Sequence, residues 1–359
     1  MKREFNRRNF IKGLAAMAVV ASGNALAGSP GKAASQSITL LGKRSRLRPQ
    51  LSANLSLGLQ VGLAQPVQVT EVRSGGSELL SVADEIVRST RPRWLLALQQ
   101  PGQANKLGSL TRNYGTSVLL VDSGANVPRT AEHDHPNIAS MEQWRADYAL
   151  ARWSARKGAR RAVILTSLYD TGYDLVAAFR AGFESAGGSV VSVLLTDDPF
   201  RPVAGTSEVL SEVRNLAPDV VHVLHSGREA EQLFQGLSAI PGPLVTANSL
   251  VLAGAVSPGV YSVSAWLEAD DSLGTAFGRA VGQHPDEFGV FGYRLGQQLS
   301  VGQAVAAVPA LQLFQTGTLN GQSGRRILAT LPDESEGDRQ LASLAAAVRT
   351  GWTTPWLAL

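Results

Sequence analysis

The sequence predicts an α/β protein of two Rossmann-like lobes, each built on a parallel, doubly wound sheet, with a multi-crossing hinge between them. Three observations carry that expectation. Short apolar runs rich in Val, Leu and Ile recur along the chain, each the length of a buried strand. Each run is followed by a polar turn and then by an amphipathic helix, the order that right-handed crossovers turn into parallel sheets with helices on both faces. A length of 359 residues allows about two domains of roughly 150 residues each.

The clearest unit is residues 160–188, RRAVILTSLYDTGYDLVAAFRAGFESAGG. Residues 163–165 are a buried strand, 167–172 a polar break, and Leu175, Val176, Phe179 and Phe183 fall on one side of a helix opposite Asp174, Arg180 and Glu184. Gly187 and Gly188 end it. Ligands of open α/β sheets sit beyond the carboxyl ends of the strands, so function is sought in residues 167–173 and their equivalents.

Taken in order, residues 38–41 form a first strand with a basic exit carrying Lys43, Arg44 and Arg46. Residues 51–63 read as a helix, weakened by Gly58 and Gly62. Residues 67–72 alternate as a strand, and 77–89 follow as a helix with Leu79, Leu80, Ala83, Ile86 and Val87 on one side. The strand 94–98 exits through Gln99, Gln100, Pro101, Gly102 and Gln103, and the strand 117–121 through Asp122, Ser123, Gly124 and Ala125. Residues 126–140 are polar and irregular and mark a crossing between lobes. The helix 141–157 leads into the central unit, followed by strand 190–195, helix 207–217, strand 220–224, helix 229–239 and strand 244–247. Past residue 251 the pattern loosens. Residues 259–265 read as a strand returning to the first lobe, 273–281 and 288–307 as helices, and the end from about Arg325 as a short strand, an acidic turn and a helix through Val348.

The front of the chain is of another kind. Arg7-Arg8-Asn9-Phe10-Ile11-Lys12 resembles a twin-arginine export signal, followed by an apolar stretch over 13–21 and by Ala25-Leu26-Ala27, an A-x-A cleavage site. That stretch is far below the roughly 18 residues that span a bilayer, so no stable membrane insertion is expected after signal removal. Five of the 33 basic and one of the 29 acidic residues lie in residues 1–27, so the remaining chain carries 28 of each. The net charge of +4 therefore belongs to the signal and gives no reason to expect a nucleic-acid partner. The chain has no cysteine, which excludes disulfides, thiol nucleophiles, thiolate metal sites and a lipidated anchor.

The catalytic patterns are missing too. There is no G-x-S-x-G elbow, H-E-x-x-H pair or phosphate-binding G-x-x-x-x-G-K-[ST]. His133-Asp134-His135 lacks a third or fourth ligand and reads as a loop. His222 and His225 are close, but strand alternation sends them to opposite faces; His225 reads as a polar cap or as a wall of the ligand cleft. Trp144, Tyr148 and Trp153 on one helix read as packing, and Trp266 as either cleft wall or core. No enzymatic activity, cofactor or metal is expected.

The central unit with Ala186-Gly187-Gly188-Ser189-Val190-Val191, then Ala217-Pro218-Asp219-Val220-Val221, and later Phe291-Gly292-Tyr293, resembles the type I periplasmic binding proteins. The resemblance is to the branched-chain amino acid (Leu/Ile/Val) type that serves ABC importers, and it covers nearly all of residues 37–350. It implies a signal peptide over 1–27, a leader over 28–36, a first lobe of 37–127 plus about 255–307, and a second of about 137–250 plus about 325–355. It implies a periplasmic protein that closes its lobes on a small molecule, an amino acid-like compound or a small organic anion, and delivers it to permease and ATPase subunits. The other reading is a sensory or structural protein of the same fold.

Carried over residue by residue, the resemblance places Gln99, Gln100, Gln103 and Ser123 where the family holds a ligand carboxylate. Thr171, with Tyr169 and Tyr173 nearby, and Ser226 stand where it often has aromatics. Asn248, followed by Ser249, lies near the family's acid for a ligand ammonium, and Trp266 at its strand exit completes the set. No acid occurs in 248–252, so Asp122, Asp170 or Glu268 is the substitute, or the ligand has no ammonium.

Overall fold

The computed structural model describes residues 37–43, 50–72, 77–98, 104–127, 138–167, 174–196, 206–225, 230–253, 258–267, 271–282, 284–302, 308–319 and 322–332. Two compact units divide the chain. The first takes residues up to Asp122, Asp134–Ser140 and Trp266–Ala307, and the second takes Ser123–His133, Met141–Ala265 and Val308 onward. The signal-like residues 1–27, the leader 28–36 and the helix expected through Val348 lie outside the described residues, as does His133-Asp134-His135.

The first unit has a five-stranded parallel sheet in the order β2-β1-β3-β4-β5, made of β1 (Ile38–Lys43), β2 (Gln68–Val72), β3 (Trp94–Leu98), β4 (Ser117–Asp122) and β5 (Ile138–Ser140). Strands β3 and β4 are buried along nearly their whole length, the continuous apolar pattern of a sheet covered on both faces. On one face Leu41, Leu95, Ala97, Val118 and Leu120 pack with Leu79, Ala83, Ile86 and Val87 of helix α2 (Ser77–Ser89) and with Leu107 of α3 (Ala104–Thr111).

Helix α1 (Leu51–Leu63) and the later helix α9 (Glu287–Ser300) meet backbone to backbone. Gly58 faces the carbonyl oxygen of Gly289, Gly62 that of Tyr293, and Gly292 that of Leu55; a Cβ on any of them would overlap its partner. At Gly296 it would stand 2.7 Å from the Leu59 oxygen. Gly58 and Gly62 cost helix propensity, and the close approach is what they provide in exchange. Asp286 fixes the register: one carboxylate oxygen caps α9 at the Gly289 N–H (2.9 Å), and the other accepts from Asn54 on α1 (2.7 Å). Helix α9 stops at Ser300 rather than running to 307, because Gly302 takes a left-handed φ of 71° and closes the last turn onto Leu299.

The second unit has a seven-stranded sheet in the order β12-β11-β10-β9-β8-β6-β7. The parallel part comprises β6 (Arg161–Thr166), β7 (Ser189–Leu195), β8 (Val220–Leu224), β9 (Leu244–Ala247) and β10 (Tyr261–Ser264). Helices α4 (Gln143–Arg156) and α5 (Leu175–Ser185) cover one face, where Trp144, Tyr148, Phe179 and Phe183 are buried against Ala162, Ile164, Val220 and Leu224. Trp144 and Tyr148 are packing residues, as expected, and Trp153 packs at a tilt against Tyr261 with ring centroids 5.1 Å apart. Further along the chain come α6 (Thr206–Leu216) and α7 (Ala230–Ser238). At the amino ends of the strands, the Asp219 carboxylate accepts from the backbone N–H groups of Arg160 (2.7 Å) and Arg161 (2.9 Å). The Ala-Pro-Asp motif is thus a clasp between β6 and β8.

Several expectations need correction. The strand expected over 259–265 forms as β10, but it pairs with β9 and β11 in the second sheet and does not return to the first. The strand expected from about Arg325 is the second half of a hairpin, β11 (Gln312–Leu319) with β12 (Gln322–Thr330), and β11 was not anticipated. The irregular stretch 126–140 ends in the short strand β5. Its three residues are too few to show a period. Helix α8 (Asp271–Val281) forms where 273–281 is expected, starting two residues earlier.

Replacing Gly62 with Val should lower the unfolding free energy by about 1–3 kcal/mol or more, the range for overpacking. Gly108→Ala, where a Cβ meets nothing within 4 Å, should raise it by about 0.5–1 kcal/mol. Urea denaturation of the two variants checks both signs.

Candidate ligand-binding site

A strand covered on both faces has its chemistry where it ends, so the site is built from the carboxyl ends of each sheet. In both units the parallel order follows one scheme: the first strand lies between the second and the third, and the order reverses beside it. In the first unit that reversal separates β1 from β3, which pair in register from Ile38 and Trp94 to Leu41 and Ala97. The exits of β1, β3 and β4 are therefore consecutive. Lys43 ends β1, the stretch holding Gln99, Gln100 and Gln103 follows Leu98 in the chain, and Ser123 follows Asp122. Gln99, Gln100 and Gln103 themselves lie outside the described residues, with Arg44 and Arg46.

Ser123 is half-buried at the end of β4. With Ser123 the chain enters the second unit, to which Ser123–His133 belongs. The Gly124 carbonyl accepts from the Trp144 N–H (2.9 Å), and that of Ala125 accepts from the Asp174 N–H (3.1 Å). The Asp174 carboxylate accepts in turn from the Val127 N–H at 3.0 Å. This pins the segment across the starts of α4 and α5. Asp122 is buried.

In the second unit the reversal lies between β6 and β8. Thr166 is in register with Leu195 on one side and Leu224 on the other, and Val223 with Ala247, so the exits of β7, β6, β8 and β9 are consecutive. Tyr169, Asp170 and Thr171, in the stretch after β6, and Ser226, after β8, lie outside the described residues. Ser167 and His225, which precede them, are buried.

Asn248 is 1% exposed, and its side chain is committed inward. Its Nδ2 donates to Asp147 Oδ1 (3.0 Å) and Gln143 Oε1 (3.3 Å) on α4, and its Oδ1 accepts from the Leu250 N–H (3.0 Å). Ser249 also donates to Gln143, at 3.1 Å. Asn248 thereby shapes the turn after β9. Asp147, 1% exposed, is an acid with no sequence signal of this role, because it sits inside a helix a hundred residues along the chain from the strand exit it serves. Beside it His222 stacks on Phe179 (centroids 3.9 Å apart) and holds Thr246 through Nδ1 (3.1 Å), while its Nε2 stands 3.8 Å from Asp147. Neither that nitrogen nor Asp147 Oδ2 has a hydrogen-bond partner among the described residues, so a bond lost here has no neighbour to replace it.

His225 points the other way, as strand alternation requires. It shares a hollow with Thr196, Thr206, Val209 and Leu233, and its Nδ1 is 2.6 Å from Thr196 Oγ1. Trp266 is 6% exposed and packs edge-on against Phe291 with centroids 4.8 Å apart, which places it in the core of the first unit. Glu268 lies outside the described residues. No group of three or more metal-ligating side chains occurs among the described residues, and no described helix is long and apolar enough to cross a membrane.

No protein-family model matches the sequence, and no curated protein does. Solved structures do match. A solute-binding protein of an ABC transporter from R. palustris, in complex with benzoate, superposes with a TM-score of 0.62 at 18% identity, over 83% of this chain and 98% of its own. Another from Rhodopseudomonas palustris BisB5, in complex with 3,4-dihydroxy benzoic acid, gives 0.64 at 13% identity, over 84% and 99%. A branched chain amino acid ABC transporter periplasmic ligand-binding protein from Burkholderia xenovorans LB400 gives 0.62 at 13% identity, over 85% and 96%.

Removing the acid behind the β9 turn should be costly. Asp147→Ala takes from buried Asn248 Nδ2 the shorter of its two bonds, 3.0 Å against 3.3 Å to Gln143, and should lower stability by about 1–3 kcal/mol in urea denaturation, whereas an unchanged midpoint would mean the network carries no load. Two parallel-dominated sheets, aligned over more than four-fifths of the chain with such structures, give this protein the fold of the ABC transporter solute-binding proteins.

Proposed function

We propose that the chain is a periplasmic solute-binding protein that captures a small organic acid at its strand-exit turns and delivers it to the permease and ATPase subunits of an ABC importer. The observation that carries this reading is the shared fold along nearly the full length of transport receptors, with consecutive strand exits in each unit. Ser123, Gln99, Gln103, Tyr169, Thr171 and Ser226 are the proposed ligand contacts, with Gln100 beside them. Asn248 and Trp266 enter as supports, since their side chains serve the turn and the core.

The ligand class follows from charge. An amino acid brings an ammonium that needs an anion once it leaves water. Among the described residues the acid bonded at the β9 exit is Asp147, which is buried and held by Asn248. The exit of β1 carries Lys43, Arg44 and Arg46. Both features favour a carboxylate without an ammonium, the chemistry of the benzoates held by the neighbours named above. Export is proposed to follow the twin-arginine route, with cleavage after Ala27.

Residues 28–359 should show a melting point that rises with the logarithm of benzoate or hydroxybenzoate concentration, and Ser123→Ala should reduce the rise. A response to leucine or valine alone would overturn the ligand class; no response to any of these would count against the receptor reading. Replacing Arg7 and Arg8 with Lys should leave the uncleaved chain in the cytoplasm on cell fractionation, and normal export of that variant would exclude the route.

A further inference from the structure

Next to the proposed contacts, one buried side chain at a strand exit has an unused polar atom. His225 follows β8 at the point where the strand order of the second sheet reverses, and it is 5% exposed. Its Nδ1 lies 2.6 Å from the hydroxyl of Thr196, the residue after β7. That hydroxyl also donates to the Thr166 carbonyl at 3.2 Å, the same oxygen that accepts from the Thr196 backbone N–H at 3.0 Å. A threonine hydroxyl has one hydrogen. With that hydrogen on the carbonyl, Thr196 is an acceptor toward the ring and Nδ1 of His225 carries the imidazole hydrogen. Nε2 is then a lone-pair acceptor, and no hydrogen bond to it occurs among the described residues.

The ring lines a hollow with Thr196, Thr206, Val209 and Leu233. Its size suits about one water-sized group. The walls are largely methyl groups, which disfavour a charge and accept a neutral donor whose one hydrogen finds a partner. We propose that this hollow is a hydroxyl-recognising subsite, in which His225 Nε2 accepts a hydrogen bond from a hydroxyl on the small carboxylic acid that the protein binds. The inference rests on the solute-binding reading and adds to it a preference for hydroxylated acids. Thr196 is a positioning residue here: it fixes which ring nitrogen is free.

The test pairs acids that differ by one hydroxyl. Calorimetric titration of residues 28–359 with benzoate, 3-hydroxybenzoate and 4-hydroxybenzoate should show at least one hydroxylated acid binding about tenfold more tightly than benzoate, the worth of one neutral hydrogen bond. His225→Phe should abolish that advantage while leaving benzoate affinity within about twofold, and Thr196→Val, which keeps the shape but frees the tautomer, should reduce it. Equal affinity for all three acids, or an advantage that survives His225→Phe, would overturn the proposal and leave a hollow filled by an ordered water only. If His225→Phe does not fold, His225→Gln, whose amide oxygen can accept, should keep part of the preference, and its complete loss there would count against the hydroxyl contact. Nitrogen-15 spectra of the ligand-free protein supply an independent arm. They should show the His225 hydrogen on Nδ1, and the opposite tautomer would refute the geometry without any ligand. The expected tautomer with no binding of any of the three acids would refute the ligand class of the receptor reading, and the hydroxyl preference with it.

Discussion

A parallel strand covered by helices on both faces can place polar chemistry only where it ends, and most of this chain follows from that constraint. Strands β3, β4, β6 and β8 are buried almost throughout. Their backbone groups are satisfied by neighbours in the sheet, and their side chains by helices on either side. What remains for the proposed recognition is the residues at the carboxyl ends of the strands, Asp122 in the first unit and Ser123, Ser167, Thr196, His225 and Asn248 in the second. Polar residues at this edge have two fates. Asn248 turns inward to organise its own turn, while His225 keeps a nitrogen free beside a hollow.

Within the first unit, the cover on the sheet is held by a contact that few sequences allow. Helices α1 and α9 are more than 220 residues apart in the chain, yet their backbones meet through glycines on both sides. Dispersion and Cα–H contacts at such short range reward close fit and tolerate no added carbon. The Asn54 to Asp286 bond sets the axial position of the pair and the cap of α9 together. In the second unit the equivalent binding element is polar. The Asp147, Asn248, Gln143 and His222 cluster joins α4 to the centre and exit of the sheet, at the cost of burying groups that depend wholly on one another.

Much of this was legible in the sequence, for a physical reason. A clear apolar face or run with a turn residue at its ends gives α2, β3, β8 and β9 their observed limits, whereas α1 is apolar at mixed spacing and is legible as a helix only in spite of its glycines. The failures share causes as well. Strand β11, QLFQTGTL, was overlooked because it belongs to an antiparallel hairpin near the sheet edge, where polar residues interrupt the apolar run. Strand β10 formed where expected but joined the other sheet, a pairing that no local pattern encodes. The glycines of α1 looked like weaknesses because their partners on α9 are remote in sequence. Asp147 was invisible as a functional support, since its role is defined by Asn248, a hundred residues away. The tautomer of His225 needs three coordinates at once, those of Thr166, Thr196 and the ring.

The central claim is that small acids are recognised at the carboxyl edge of the strands. Amide chemical-shift mapping on nitrogen-15-labelled residues 28–359, titrated with the tightest-binding benzoate, tests it most directly. The account predicts that the perturbed amides cluster at Ser123, Ser167, Thr196, His225 and the 248–249 turn. Perturbations gathered instead at the opposite ends of the strands, around Ser37, Arg93, Arg160 and Asp219, would contradict it.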